Sequence, residues 1–362
     1  MNFENKKVIV TGHTGFKGSW LTAWLKKLGA NVVGISISIP TIPSHYKSAN
    51  LHNGIQDERF DICNQNELDD IFISSQPDFV FHLAAQPLVR LSYEDPKNTW
   101  RVNLMGTLSV LESLRKINKK CAAVLITSDK CYDNIEWCWG YRENDALGGP
   151  DPYSASKGAA ELLIKSYFKS FFKKEFTSVR IASARAGNVI GGGDWAESRI
   201  VPDCVKAWSK NKVVDLRNPN ATRPWQHVLE PLSGYLSLAN SLYDHDELHG
   251  ESFNFGPLSQ QNNSVGNLVQ SMSKYWENVR WNDVSEKNML APYESGLLKL
   301  NCDKALHFLN WSAALDFEET VNLTTTWYKS FYQDPSNILE ITNNQIDYYI
   351  NVAKKKGILW AQ

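Results

Sequence analysis

Tyr153 and Lys157 stand four residues apart in Tyr153-Ser154-Ala155-Ser156-Lys157, so a helix through them carries a phenol and an ammonium on one face. A neighbouring ammonium favours phenolate, which lowers a tyrosine's pKa from about 10 and makes it a usable base toward a sugar hydroxyl. Tyr93 and Lys97 repeat the spacing, but Pro96 lies between them and breaks that helix. Upstream, the apolar run 122–128 ends in Ser128-Asp129-Lys130, a hydroxyl, a carboxyl and an ammonium in succession. An exposed Asp-Lys turn is the plain alternative for 129–130. Its place just past a strand, where sites of α/β proteins gather, favours chemistry.

A second constellation opens the chain. Thr11-Gly12-His13-Thr14-Gly15-Phe16-Lys17-Gly18 follows an apolar run and precedes a helical pattern, with glycines at GxxGxxG spacing. Gly12 permits a tight turn, Gly15 lets backbone approach a pyrophosphate, and Gly18 allows close helix–sheet packing; the helix N-terminus adds N–H groups. This predicts a dinucleotide, and the absence of GK[ST] excludes a Walker loop. The acid that usually follows strand two is missing, since the segment reads Gly34-Ile35-Ser36-Ile37-Ser38. Serine still offers a hydrogen bond to ribose, and no arginine there invites a 2′-phosphate, so NAD is expected over NADP. Asp61, in 58–63, is a candidate for the adenine edge, with a helix cap or loop as its alternative. Arg217 and Arg223 flank Asn218-Pro219, and their guanidinium forks suit phosphate oxygens. His245-Asp246-Glu247-Leu248-His249 only mimics a zinc-protease helix, because position two is Asp and Gly250 follows at once; no metal is expected. The aromatic group Tyr167, Phe168, Phe171 and Phe172 reads as packing.

The elements that must position these groups alternate. Runs 6–12, 31–37, 78–85, 122–128 and 178–184 read as strands, and 16–29, 66–74, 98–117 and 154–174 as helices, which predicts a Rossmann-type, doubly wound parallel sheet. The second half carries turn signals at 191–194, 218–224 and 256–263 and no internal repeat. The division expected is an NAD-binding domain over 1–184, with a return segment near 224–256, and a smaller α/β substrate domain over 185–362. With 39 acidic against 38 basic residues, net charge −1, neither nucleic acid nor a membrane surface is an expected partner. The N-terminus has no apolar signal core, and the six cysteines contain no CxxC pair, which fits reduced thiols in the cytoplasm.

The Gly-rich loop, the strand-end serine and YxxxK together resemble the extended short-chain dehydrogenase/reductase family, over essentially the whole chain. Ser128-Asp129-Lys130 lines up with the Thr-Asp-Glu of its nucleotide-sugar 4,6-dehydratases, and Lys in place of Glu resembles the branch that takes CDP-glucose. Blocks 11–21, 82–94, 185–196 and 223–235 carry the same resemblance. The resemblance implies a hydro-lyase in which Tyr153 takes the O4 proton, Ser128 holds O4, and Lys157 lowers the Tyr153 pKa and binds nicotinamide ribose. Asp129 is then the acid and Lys130 the C5 base. Burial would raise one pKa and lower the other as needed, whereas ion pairing between them would oppose this and blur their roles. It adds Ala84 and Ala85 to the NAD set, and Asn188, Arg223, Gln86, Arg199 and Arg217 as contacts of the sugar nucleotide. A homodimer or dimer of dimers, and a deoxysugar product for surface polysaccharide, are implied likewise; an epimerase of the same fold and a silent nucleotide sensor are the rivals.

Overall fold

The computed structural model describes residues 1–173, 178–258, 261, 263–285 and 297–361. Lys174 of the helix expected over 154–174, and residues 259, 260 and 262 of the turn expected at 256–263, lie outside these.

β-Branched and aromatic runs form the strands. β1 (Lys7–Thr11) is followed by α1 (Phe16–Lys27) and β2 (Asn31–Ile35), then by α2 (His45–Ser48), β3 (Gln56–Glu58), α3 (Gln65–Ser75) and β4 (Phe79–His82). Next come α4 (Val89–Glu94), α5 (Pro96–Trp100), α6 (Gly106–Leu114), β5 (Cys121–Ile126), α7 (Pro152–Tyr167) and β6 (Val179–Arg185). The second half supplies β7 (Val189–Ile190), α8 (Ile200–Trp208), β8 (Val214–Leu216), β9 (Thr222–Arg223), β10 (Gln226–His227), α9 (Leu229–Asp244) and β11 (Ser252–Asn254). It ends with β12 (Asn263–Ser264), α10 (Val265–Met272), β13 (Trp281–Asp283), α11 (Asp303–Leu309), α12 (Phe317–Gln333) and α13 (Ile338–Lys355).

Seven strands make one sheet in the order β11-β6-β5-β4-β1-β2-β3. Every pairing in it is parallel. The order reverses at β1, which creates the crevice beyond the carboxyl ends where such sheets bind ligands. Side chains alternate across the sheet: Val8, Val10, Phe79, Phe81 and Val124 face α1 and α9, while Ile9, Val80, Leu125 and Ile181 face α3, α6 and α7. Fully burying one such side chain is worth about 1.5–3 kcal/mol, so both faces must be covered.

Two expected helices are interrupted. The helix foreseen over 98–117 is α5, a widened turn over Arg101–Met105, and α6. The helix foreseen over 154–174 keeps regular geometry to Tyr167 and then widens over Phe168–Phe172. Bulges of this kind break the 3.6-residue period without any Gly or Pro to announce them.

Beyond the sheet, β7 pairs with β10, β9 with β12 antiparallel, and β8 with β13. These short pairs tie segments of the second half to one another. No helix among the described residues is long and apolar enough to cross a membrane.

Candidate active site

The Gly-rich loop is built as a cradle. Gly12 sits at φ +76°, and a Cβ there would lie 2.7 Å from the Ala84 amide nitrogen. A Cβ on Gly18 would lie 2.0 Å from the Gly12 carbonyl oxygen, so α1 starts flush against the turn. Gly15 caps α1 with no side chain over its N–H groups. Phe16 opens the helix and is half-buried. Ala84 donates its N–H to Thr11 Oγ1 at 3.2 Å, and Ala85 follows at the mouth beyond β4.

The place of the missing acid is filled indirectly. His13 Nδ1 lies 3.0 Å from Ser36 Oγ, and His13 Nε2 lies 2.9 Å from Asp57 Oδ1 on β3. Thr14 donates its amide to Ser36 and its hydroxyl to the Ser38 carbonyl. A carboxylate therefore stands behind the turn, one strand further out than the sequence pattern looks for it. Asp61 accepts from the Cys63 amide at 2.9 Å and from Arg101 at 2.7 Å. Burial works against its charged form, but these two donors outweigh it and hold Asp61 below the usual carboxylate range.

The two halves of the catalytic constellation meet past β5. Ser128 caps the short turn Asp129–Cys131, accepting the Lys130 amide at 3.2 Å. Its hydroxyl donates to Asp129 Oδ1 at 3.0 Å. On α7, Asp151 accepts the Ser154 amide at 2.9 Å and Pro152 starts the helix, which brings Tyr153 into its first turn and Lys157 one turn on. The Asp129–Cys131 turn packs on α7, and the Ser128 hydroxyl lies near enough to the Tyr153 phenol to lower its pKa against burial. Asp129 is buried and Lys130 half-buried. Among the described residues no ion pair joins those two.

Burial pushes the Tyr153 phenol up to about 12, and Asp129 and Asp151 raise it further; the opposing groups are Ser128 and Arg199. Lys157 is not among them. Lys157 is itself buried, and burial pushes its ammonium down to about 8, against the opposing charge of Glu161. No side chain among the described residues hydrogen-bonds it.

The sugar-nucleotide candidates divide. Asn188 follows β6 in a left-handed conformation, φ +48°, and is half-buried. Arg199 pairs with Asp194 at 2.6 Å and lies close enough to Tyr153 for each to shift the other. Arg223 lies on the β9–β12 pair and donates to the Thr222 carbonyl at 2.8 Å. Arg217 is exposed past β8. Gln86 is buried with both ends of its amide turned inward, to Leu88 of its own loop and to Thr99 on α5. The segment at 191–194 is no loose turn: Trp20 donates to the Gly192 carbonyl at 2.8 Å, and Asp194 is buried.

Lys17, inside the Gly-rich motif, makes a contact that its spacing did not announce, and Asn103 and Glu161 belonged to no motif. Lys17 reaches across to Tyr235, Nζ to hydroxyl 3.5 Å, and burial pushes its ammonium down to about 8 despite Asp129 nearby. Asn103, in the widened turn, donates to Ser156 at 2.9 Å and accepts the Gln86 amide at 2.8 Å. Glu161 sits one turn beyond Lys157, paired with Arg185 at 2.7 Å in full burial. Its place at the third step of the 153, 157, 161 series was the available signal. His245–His249 lies past the end of α9, and no group of metal-binding side chains occurs among the described residues.

Comparison with known proteins bears on this geometry. The profile of the family described as GDP-mannose 4,6 dehydratase matches residues 9–324. CDP-glucose 4,6-dehydratase of Salmonella typhimurium is 43% identical over 357 residues, covering 98% of each chain. The chain belongs to the GDP-mannose 4,6 dehydratase family. Solved structures of the same fold include dTDP-glucose 4,6-dehydratase from Bacillus anthracis with NAD, at TM-score 0.72 and 18% identity over 90% of this chain and 97% of that one. UDP-glucuronic acid 4-epimerase from Bacillus cereus, with UDP-glucuronic acid and NAD, gives 0.76 and 24% over 90% and 100%. The doubly wound sheet, with its reversal at β1, is thus the family's fold.

Proposed function

We propose that the chain dehydrates CDP-glucose to CDP-4-dehydro-6-deoxyglucose with NAD as resident cofactor. The observation that carries this is the Ser128-Asp129-Lys130 turn packed on the start of α7, which carries Tyr153 and Lys157, in a chain 43% identical to a CDP-glucose 4,6-dehydratase.

The cradle suits a dinucleotide: at Gly12 and Gly18 any Cβ would fill the space that the turn and helix leave, and α1 presents uncapped N–H groups there. Gly12, Thr14, Gly15, Phe16, Lys17 and Gly18 would hold the pyrophosphate, Asp61 the adenine edge, Ala84 and Ala85 the mouth, and Lys157 the nicotinamide ribose. When bound, NAD would supply the acceptor for the C4 hydride and the donor that returns it at C6, so no cofactor would be consumed.

The chain's own groups move the protons. Tyr153 takes the O4 proton while Ser128 holds O4. The resulting ketone acidifies the C5 hydrogen, Lys130 removes it, Asp129 protonates O6 as it leaves as water, and Lys130 returns the proton to C5 as hydride reaches C6. Tyr153, pushed up to about 12 by burial, must be lowered by the charge that arrives with NAD and by Lys157 drawn onto the ribose. Asn188, Arg199, Arg223 and the exposed Arg217 would meet the diphosphate; Gln86 serves its own loop and α5. In this reading 1–184 with β11 binds NAD and the remainder binds the sugar nucleotide.

The chain would act in the cytoplasm as a homodimer. Trp100, Met105, Leu162 and Phe171 are exposed on the packed helices α5 and α7 and the widened turns beside them. Incubation with CDP-, dTDP- and UDP-glucose, followed by mass spectrometry, tests the reading. Loss of one water from CDP-glucose is expected. An unchanged mass with altered stereochemistry would make the chain an epimerase, and faster conversion of dTDP- or UDP-glucose would overturn the substrate.

A further inference from the structure

Glu161 is an acid with full burial, 3% exposed, that the steps above do not use. Its carboxylate is a hub. Oε1 accepts from the Thr127 hydroxyl, and Oε2 accepts from Ser183 at 2.8 Å, Ser252 at 3.3 Å and Arg185 at 2.7 Å. Four donors hold it charged: burial raises its pKa, but Arg185 and the hydroxyls outweigh burial and keep it below the usual carboxylate range.

These partners come from separate elements. Thr127 is the residue before Ser128, Ser183 and Arg185 lie on β6, Ser252 lies on β11, and Glu161 itself lies on α7 one turn beyond Lys157. Arg185 continues the network, donating to the Tyr132 hydroxyl at 2.7 Å and to the Glu143 carbonyl at 3.0 Å. The carboxylate thus ties the strand end that carries Ser128 to the helix that carries Tyr153 and Lys157. It is also the negative charge that acts on Lys157. The other titratable groups facing Lys157 are Cys131 past β5, His82 on β4 and Lys17 on α1. Burial pushes the His82 imidazole down to about 3, so it stays neutral, and burial raises the Cys131 thiol well above its ordinary value.

We propose that Glu161 is a positioning residue for C4 oxidation, fixing Ser128 against Tyr153 through Thr127 and keeping Lys157 protonated for the cofactor ribose. The proposal rests on the dehydratase reading. A buried ion pair adds little stability over an apolar replacement, which leaves orientation as what this one supplies. With Glu161 neutral, the ammonium loses the charge that opposes its burial and releases its proton at lower pH.

The test uses the full-length enzyme loaded with NAD, CDP-glucose deuterated at C4, and the variants E161Q, E161D and T127V. Wild type is the control: if it does not convert CDP-glucose, the dehydratase reading fails and not this inference. In E161Q, kcat should fall about tenfold, and the alkaline limb of its pH profile should move to lower pH by about one unit. The C4 deuterium isotope effect on kcat should rise, because oxidation becomes rate-limiting. E161D, which keeps the charge, should restore the alkaline limb. A merely structural role would lower the amount of active enzyme and move neither limb nor isotope effect, and that outcome overturns the proposal. T127V leaves the Glu161–Arg185 pair intact and carries the test if E161Q does not fold. Its isotope effect should rise with the alkaline limb in place, and an unchanged isotope effect overturns the positioning role.

Discussion

At the scale of single residues, the site sets a phenol and an ammonium whose intrinsic tendencies run against their tasks. Burial drives Tyr153 up to about 12 and Lys157 down to about 8. Each needs a partner of opposite character, and the structure supplies Ser128 for the first and Glu161 for the second. Tyr153→Phe keeps the ring and removes the phenol that would take the O4 proton, so C4 oxidation should fall by about 10²–10⁴. Stopped-flow absorbance of reduced nicotinamide checks it, and wild-type reduction would remove Tyr153 from the step. Lys130→Met should behave differently: oxidation proceeds, reduced nicotinamide persists, and no dehydrated sugar forms. Dehydration by that variant at the wild-type rate would exclude Lys130 as the C5 base.

At the scale of elements, the chemistry depends on where β5 stops and α7 starts. Asp151 and Pro152 set the start, and losing the cap through Asp151→Ala should cost about 1 kcal/mol, read as a lower urea midpoint. The same variant should lose more activity than stability, because the first turn carries Tyr153. Gly187, past β6, packs so closely on Asp129 that a Cβ there would lie 1.8 Å from Oδ2. Gly187→Ala should therefore displace the Asp129 carboxyl and slow water loss while leaving cofactor binding intact, as product mass and NAD titration would show. These elements were legible in the sequence where period and punctuation agree: 6–12, 31–37, 78–85, 122–128 and 178–184 all contain strands of the sheet. The widened turns at 101–105 and 168–172 were not, since the apolar period continues through them. Nor was the carboxylate behind the Gly-rich turn, because Asp57 reaches Ser36 only through His13, across two strands.

At the scale of the whole molecule, the second half closes onto the sheet through contacts that no linear pattern announces. Glu230 on α9 accepts the backbone amides of Ala314 and Leu315 at 2.9 and 2.6 Å and the Tyr349 hydroxyl at 2.7 Å, so one buried acid fastens α9 to α13 and to the segment before α12. Burial pushes its pKa up to about 7 from 4.5. The folded chain then keeps a proton that the unfolded chain releases, so this contribution is complete below about pH 4.5 and is lost as pH rises to about 7. Urea unfolding between those values should show stability from this site falling with pH in wild type, and a shallower slope in Glu230→Gln. An equal slope would mean that Glu230 does not titrate there. The net charge is near zero, −1, while Lys17 lies close enough to Arg199 and Lys157 for their charges to join burial in lowering its pKa, so positive character gathers locally beside Asp129.

The central claim is that one hydride leaves C4 and returns to C6 of the same sugar while water is lost between. Conversion of CDP-glucose deuterated at C4, followed by NMR of the product, tests it most directly. The account predicts a 4-keto-6-deoxy sugar with the deuterium at C6 and no net reduction of NAD. Deuterium found still at C4, or lost to solvent, would contradict it.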